Sequence, residues 1–225
     1  PSILGALQQA GYDRSMDEIR GADLPARSGA LRPSPPFRET RLDPATRAIF
    51  LPAGMQIDLG GLAKGWIAAQ AAELLLPFTT ACAVSAGGDM ALLGLPGDEH
   101  LWEISLEDPL DSEQVLAILK VPAGGLATSS VTRRQWRQGA EARHHIIDPR
   151  NGQPSRSPWL SVTVYAQSIL YAEAFAKALL IAGPAAAPAL LSRVEGLQYA
   201  AVEPDGQISG TLTNMELCYV PEPTF

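Results

Sequence analysis

The stretch Ala81-Cys82-Ala83-Val84-Ser85-Ala86-Gly87-Gly88-Asp89-Met90-Ala91-Leu92-Leu93 decides the fold. Residues 81–85 and 90–93 have strand composition, and the Gly87-Gly88-Asp89 turn between them leaves room only for an antiparallel return. A third strand, 102–106, follows the turn Gly97-Asp98-Glu99, and Gly124–Ser130 and Ser161–Ala166 extend the run. Helical spacing lies apart from these strands. The Ala/Leu stretch 62–76 is stopped by Pro77, 172–182 ends at Gly183-Pro184, and 186–194 follows it. A D-G turn at Asp205-Gly206 joins strands 199–202 and 208–212. Towards the other end, 3–9 is a short helix ending at Gly11, and 21–36 is a Gly/Pro/Ala/Ser loop. Residues 39–51 form a hairpin around Asp43-Pro44-Ala45-Thr46, and 55–59 is one more strand. Strands and helices do not alternate strictly. The expected class is therefore α+β, with antiparallel sheets packed against helices, rather than a doubly wound sheet.

Composition narrows the function. Of 225 residues, 46% are hydrophobic, enough for a sizeable core and too many for a disordered chain. Seventeen basic residues against 24 acidic give a net charge of −7, which argues against a nucleic-acid or anionic-membrane partner. Two distant cysteines, Cys82 and Cys218, make neither a metal knuckle nor a disulfide framework. No run approaches the length of a membrane span. The chain opens at Pro1, without an initiator methionine or a leader, so a fragment or processed form is expected.

Four stretches can carry chemistry. Asp58-Leu59-Gly60-Gly61-Leu62-Ala63-Lys64-Gly65 brings a glycine pair to a helix start, a place where backbone N–H groups and one lysine can meet a phosphate. Its bland alternative is a capping Asp58 and a solvated Lys64. Ser85-Ala86-Gly87-Gly88-Asp89 is, on its own, best explained as a turn in which aspartate suits the geometry. Ala127-Thr128-Ser129-Ser130 precedes an arginine-dense segment, 133–158, with Arg143-His144-His145-Ile146-Ile147-Asp148-Pro149-Arg150 at its centre. Adjacent histidines lack the i, i+4 spacing of a helical zinc site, and no G-x-S-x-G elbow supports a serine nucleophile. A hydrolase using Ser129 or Ser130 with His145 is a minor alternative. Last, Glu173 and Lys177 stand i, i+4 on an Ala-rich helix, where a surface ion pair is the simplest reading.

Taken in order, D-L-G-G-L-A-K-G, S-A-G-G-D, A-T-S-S, H-H-I-I-D-P-R-N-G-Q-P and A-E-A-F-A-K-A-L resemble the FAD:protein FMN transferase (ApbE) family. The resemblance runs from Gly11-Tyr12-Asp13 to the last hairpin. It implies one ApbE-like (T-fold-like) flavin transferase domain over residues 1–225, the C-terminal portion of the family's full domain. It further implies a bacterial enzyme that splits FAD and attaches FMN, through a phosphoester, to a threonine of an acceptor protein. By motif match, Asp58, Lys64 and Ile147 would contact FAD, and His145 would stand beside the reacting phosphate. Gly61 and Glu173 would serve magnesium. The family's helix pairs that carboxylate with a threonine, and here Lys177 replaces the threonine. An ammonium cannot ligate magnesium, so Glu173 and Lys177 are expected to pair as an internal salt bridge that holds no magnesium. The alternative is a flavin-binding homologue without transferase activity. The resemblance also implies further FAD contacts ahead of Gly11 and an exported, membrane-anchored full-length form, whose signal is not in this chain.

Overall fold

The computed structural model describes residues 3–20, 22, 24–25, 35–97 and 101–218. Most of the loop expected at 21–36, and part of the Gly97-Asp98-Glu99 turn, lie outside the described residues. The chain forms two compact units, one of residues 1–60 with 133–156 and one of 61–132 with 157–225.

The first unit opens with helices α1 (Leu4–Gln9) and α2 (Met16–Arg20). Ser15 and Glu18 start α2 as a capping box, with Ser15 Oγ donating to Glu18 Oε2 (2.6 Å) and the Glu18 amide donating back to Ser15 Oγ (3.4 Å). Strands β1 (Arg41–Asp43) and β2 (Ala48–Phe50) make the expected hairpin, whose turn is held by Asp43 accepting from the Ala45 and Thr46 amides. The strand expected at 55–59 does not form. Its ends close into turns instead, with Met55 N donating to Pro52 O (3.0 Å) and Gly60 N donating to Asp58 Oδ1 (2.6 Å). No described strand pairs with it, and an unpaired short strand leaves its backbone groups unsatisfied.

The second unit begins with α3 (Ala63–Leu75), followed by β3 (Cys82–Ala86), β4 (Asp89–Leu93), β5 (Trp102–Glu107), β6 (Val115–Val121) and β7 (Gly124–Ser130). The chain then returns to the first unit for β8 (Gln135–Gln138), β9 (Glu141–His144), β10 (Ile147–Asp148) and β11 (Gln153–Pro154). There β8 pairs with β9 and β10 with β11. Trp136 on β8 anchors the first unit's core with Leu7, Ala10, Ile19, Leu24 and Ile147, and its Nε1–H donates to Ala10 O (2.8 Å).

The second unit finishes with β12 (Ser161–Ala166), α4 (Ile169–Ala182), α5 (Ala187–Leu191), β13 (Gln198–Val202), β14 (Ile208–Gly210) and β15 (Met215–Leu217). Six strands form one antiparallel sheet in the order β14-β13-β12-β7-β4-β3, and β15-β6-β5 form a second. Leucines 92, 106, 116, 119 and 126, with Val121 and Val202, fill a core contributed by both sheets, each fully buried side chain worth about 2 kcal/mol. Helices α3 and α4 pack on the larger sheet, α3 against β3 and β4, and α4 against β7 and β12. The class is α+β with antiparallel sheets, as expected.

Helix α4 begins one turn earlier than expected because Ser168 caps it, its Oγ accepting from Leu170 N (3.3 Å). Its buried stripe is Ile169, Ala172, Glu173, Ala176, Leu179 and Leu180, and Glu173 is the one charge in it. Close approach of α4 to β7 depends on Gly125. A Cβ there would stand 2.2 Å from Ile169 Cα, inside the helix backbone.

Candidate functional site

Four charged groups meet where α3, α4 and β4 pack. Lys64 lies in the first turn of α3, Asp89 opens β4, and Glu173 and Lys177 share a face of α4. Lys64 Nζ donates to Asp89 Oδ2, and the Thr128 amide donates to Asp89 Oδ1 (3.2 Å). On the helix, Lys177 Nζ pairs with Glu173 Oε1 at 3.3 Å, while the Gly65 amide donates to Glu173 Oε2 at 3.0 Å.

Burial is divided by sign. The Asp89 and Glu173 side chains are 2% and 1% exposed, whereas those of Lys64 and Lys177 are 37% and 28% exposed. Each carboxylate is thus a buried counter-ion, and each ammonium is a tethered cation that still meets solvent. An isolated buried carboxylate would be costly, but each here accepts one backbone amide and one ammonium, which satisfies both of its oxygens. Burial pushes Lys177 below the ordinary lysine value. Glu173 and Asp89 pull it back up, and Lys64 adds to the fall.

The glycines of the first motif have a packing role that composition alone did not reveal. A Cβ on Gly65 would lie 2.8 Å from Glu173 Oε2 and 3.1 Å from Ile169 Cγ1, so only glycine lets α3 come this close to α4. Gly61 lies against the Lys177 stem, where a Cβ would be 3.5 Å from Cε. Asp58 does not cap α3. Its Oδ1 accepts from Gly60 N, and Leu62 occupies the cap position without a side-chain bond.

The turn reading of Asp89 is corrected by the structure. Its carboxylate is not used in the Gly87-Gly88 turn at all, but is buried under Lys64. The bland reading of Lys64 as a solvated lysine falls with it. The clue available in the sequence was the rarity of lysine, three in the chain, two of them at this cluster.

A divalent cation does not fit these residues. Both Glu173 oxygens already accept protein hydrogen bonds, and the position one turn on presents an ammonium, which has no lone pair to donate. The Lys177 stem also fills the space beside Gly61. Among the described residues, no group of three or more His, Cys, Asp or Glu stands together in a way that could hold a metal.

In the first unit, the histidine segment folds as a bend and a tight hairpin. The chain bends at His145, between β9 and β10, so the two histidines are not successive residues of one extended strand and simple alternation does not assign their directions. His145 N donates to Arg134 O (3.3 Å). His144 is structural: Nε2–H donates to Ser155 O (3.1 Å) and Nδ1 accepts from Ile146 N (3.3 Å), an arrangement that needs the neutral ring. Burial holds its pKa below the usual histidine value, opposed by the bond to Ser155. Asp148 takes a bidentate grip from Arg150 (2.9 and 2.7 Å) that holds it below the usual carboxylate range, and its carbonyl closes the turn by accepting from Gly152 N (2.7 Å). Ile147 is 1% exposed and sits in the first unit's core.

Ser130, offered as a nucleophile, is engaged otherwise. Its Oγ accepts from the Thr132 amide (3.0 Å) and has one proton for either Leu160 O (3.1 Å) or Thr132 Oγ1 (2.8 Å), while Thr132 Oγ1 donates to Pro109 O (2.6 Å). Ser129 is 6% exposed in the sheet. The hydrolase alternative has no support here.

Comparison with known proteins gives a consistent picture. A family model described as "ApbE family" matches residues 10–201. An FAD:protein FMN transferase of Klebsiella pneumoniae is 34% identical over 148 residues, covering 64% of this chain and 43% of the relative. One from Treponema pallidum is 32% identical over 166 residues, covering 69% of this chain and 46% of the relative. The chain therefore spans less than half the length of these relatives. Among solved structures, the ApbE protein of Thermotoga maritima superposes with a TM-score of 0.77 at 25% identity, covering 95% of this chain and 69% of that one. The flavinyl transferase ApbE of Pseudomonas stutzeri, in its apo form, superposes at 0.71 with 22% identity, covering 93% and 66%, and shows the same fold.

Proposed function

The chain belongs to the ApbE family, and on that premise we propose that it transfers FMN from FAD to a threonine hydroxyl of an acceptor protein. In this reaction the P–O–P bond of FAD breaks and a new P–O bond forms to the threonine oxygen. AMP leaves with the bridging oxygen, and the threonine proton is lost. Such transfer depends mainly on positioning the phosphates and neutralising their charge. The observation that carries the reading is the pair of tethered ammonium groups, Lys64 and Lys177, each seated on a buried carboxylate within the second unit. Two fixed cations suit two adjacent phosphates.

The roles of individual residues rest on motif match. Asp58, Lys64 and Ile147 are assigned to FAD, Ile147 from within the core, and His145 to the reacting phosphate. Magnesium is not part of this proposal, because Gly61 and Glu173 do not offer it a ligand set beside Lys177. An exported, membrane-anchored location belongs to the same reading and rests on the resemblance alone; among the described residues, no helix is long and apolar enough to cross a membrane.

The test is to incubate the protein with FAD and an acceptor bearing a target threonine, then weigh the acceptor and assay AMP. A gain of one FMN moiety with one AMP released supports the reading. An unmodified acceptor with FAD retained would make the protein a flavin binder instead.

A further inference from the structure

We infer that Lys177 takes the place of the divalent cation at this site, so that Lys64 and Lys177 together seat a pyrophosphate without metal. The inference rests on the reading above and specifies how that site meets its ligand.

Three features of the second unit carry it. First, Glu173 is used entirely by protein donors. One oxygen accepts the Gly65 amide and the other the Lys177 ammonium, whose Nζ also approaches Glu173 O at 3.4 Å. A metal would have to displace the ammonium to reach this carboxylate, and would then face a positive charge held nearby on the same helix. Second, the Lys177 arm passes along Gly61, which brings the cation to the glycine pair at the head of α3. Third, the arrangement is duplicated. Lys64 on Asp89 repeats Lys177 on Glu173, with the acid buried and the base partly open to solvent in both pairs. A lone lysine on a surface helix loses much of its attraction to side-chain freedom, whereas a lysine pinned by a buried counter-ion has its orientation set beforehand. Two such groups present the charge that a divalent ion would supply, as hydrogen-bond donors rather than as a coordination sphere.

The experiment uses the full chain with three probes: FAD, inorganic pyrophosphate, and Mn2+ observed by its paramagnetic resonance signal. FAD affinity in chelator and in magnesium is expected to agree within about twofold, and the Mn2+ signal to be unchanged by the protein. Lys177→Met should weaken FAD and pyrophosphate by about tenfold or more, Lys177→Arg should retain most of the affinity, and Lys177→Thr should make FAD binding magnesium-dependent. Circular dichroism of each variant establishes that it folds, and the measurements on the native chain decide the matter without any variant. Stoichiometric Mn2+ binding that Glu173→Gln abolishes would overturn the inference. So would FAD binding that requires magnesium, or failure of both FAD and pyrophosphate to bind with or without metal. Pyrophosphate binding in chelator without FAD binding would sustain the two-lysine seat and remove the flavin reading.

Discussion

Gly65 shows how much one missing side chain decides. Its amide holds Glu173 Oε2, and a methyl group in its place would collide with that same oxygen and with Ile169. Gly65→Ala is therefore expected to destabilise the protein by about 2 kcal/mol and to free Glu173 from its fixed position. Denaturant midpoints give the first effect, and weakened FAD binding gives the second. Full stability in the variant would show that α3 is not in close contact with α4. Removal of Lys64 has two effects at once, because Asp89 would remain buried without its cation. Lys64→Ala should thus cost stability, about 2 kcal/mol, as well as ligand affinity. Lys64→Met combined with Asp89→Asn should regain most of the stability but none of the affinity, a separation that thermal melts and flavin fluorescence together resolve. His144 gives a pH signature. Its folded pKa is depressed by burial, so its contribution is fully present above the unfolded histidine value. It is lost as pH falls through that value and levels off below the folded one. His144→Gln should flatten the stability profile just below the unfolded histidine value, and an unchanged profile would contradict the neutral ring bonded to Ser155.

At the level of elements, the sheet strands were legible wherever glycine turns and β-branched residues bounded them. β3, β4, β7, β12 and β13 fall within a residue of their expected bounds. β6 was not anticipated, although its residues V-L-A-I-L-K-V are a short apolar run with β-branched members. Ala117, Leu119 and Val121 lie on the buried face and Ile118 and Lys120 on the half-buried one, but apolar Val115 and Ile118 on that second face blur the alternation in the sequence. The stretch 55–59 fails for the opposite reason: its composition suits a strand, but no described neighbour pairs with it. The first turn of α4 escaped notice because its cap, Ser168, lies ahead of the Ala-rich run. Long-range partners were the hardest to anticipate. Nothing local to Asp89 says that Lys64 lies over it, since that contact depends on how the strand and helix pack. The same holds for β7 and α4, where Gly125 admits the helix backbone. Gly125→Ala is expected to lower stability by about 2 kcal/mol or more, seen as a shifted denaturant midpoint with an unchanged slope. A midpoint equal to the native one would mean that α4 can move away from the sheet at little cost.

For the whole molecule, what was legible came from the order of its motifs, and what was not came from chemistry replaced in place. The family's motifs recur along the chain, and the fold agrees with that of its solved relatives. Lys177, where the resemblance expects a threonine, pairs with Glu173 as an internal salt bridge, and the carboxylate of that pair is 1% exposed. The proposed transfer of FMN from FAD with two lysines in place of a metal goes beyond what the names of its relatives state. The most direct measurement is the intact mass of a threonine-bearing acceptor after incubation with the native chain and FAD in excess chelator. A gain of one FMN moiety at a rate close to that seen with added magnesium is the expected result. An acceptor left unmodified in chelator and modified once magnesium is restored would contradict it.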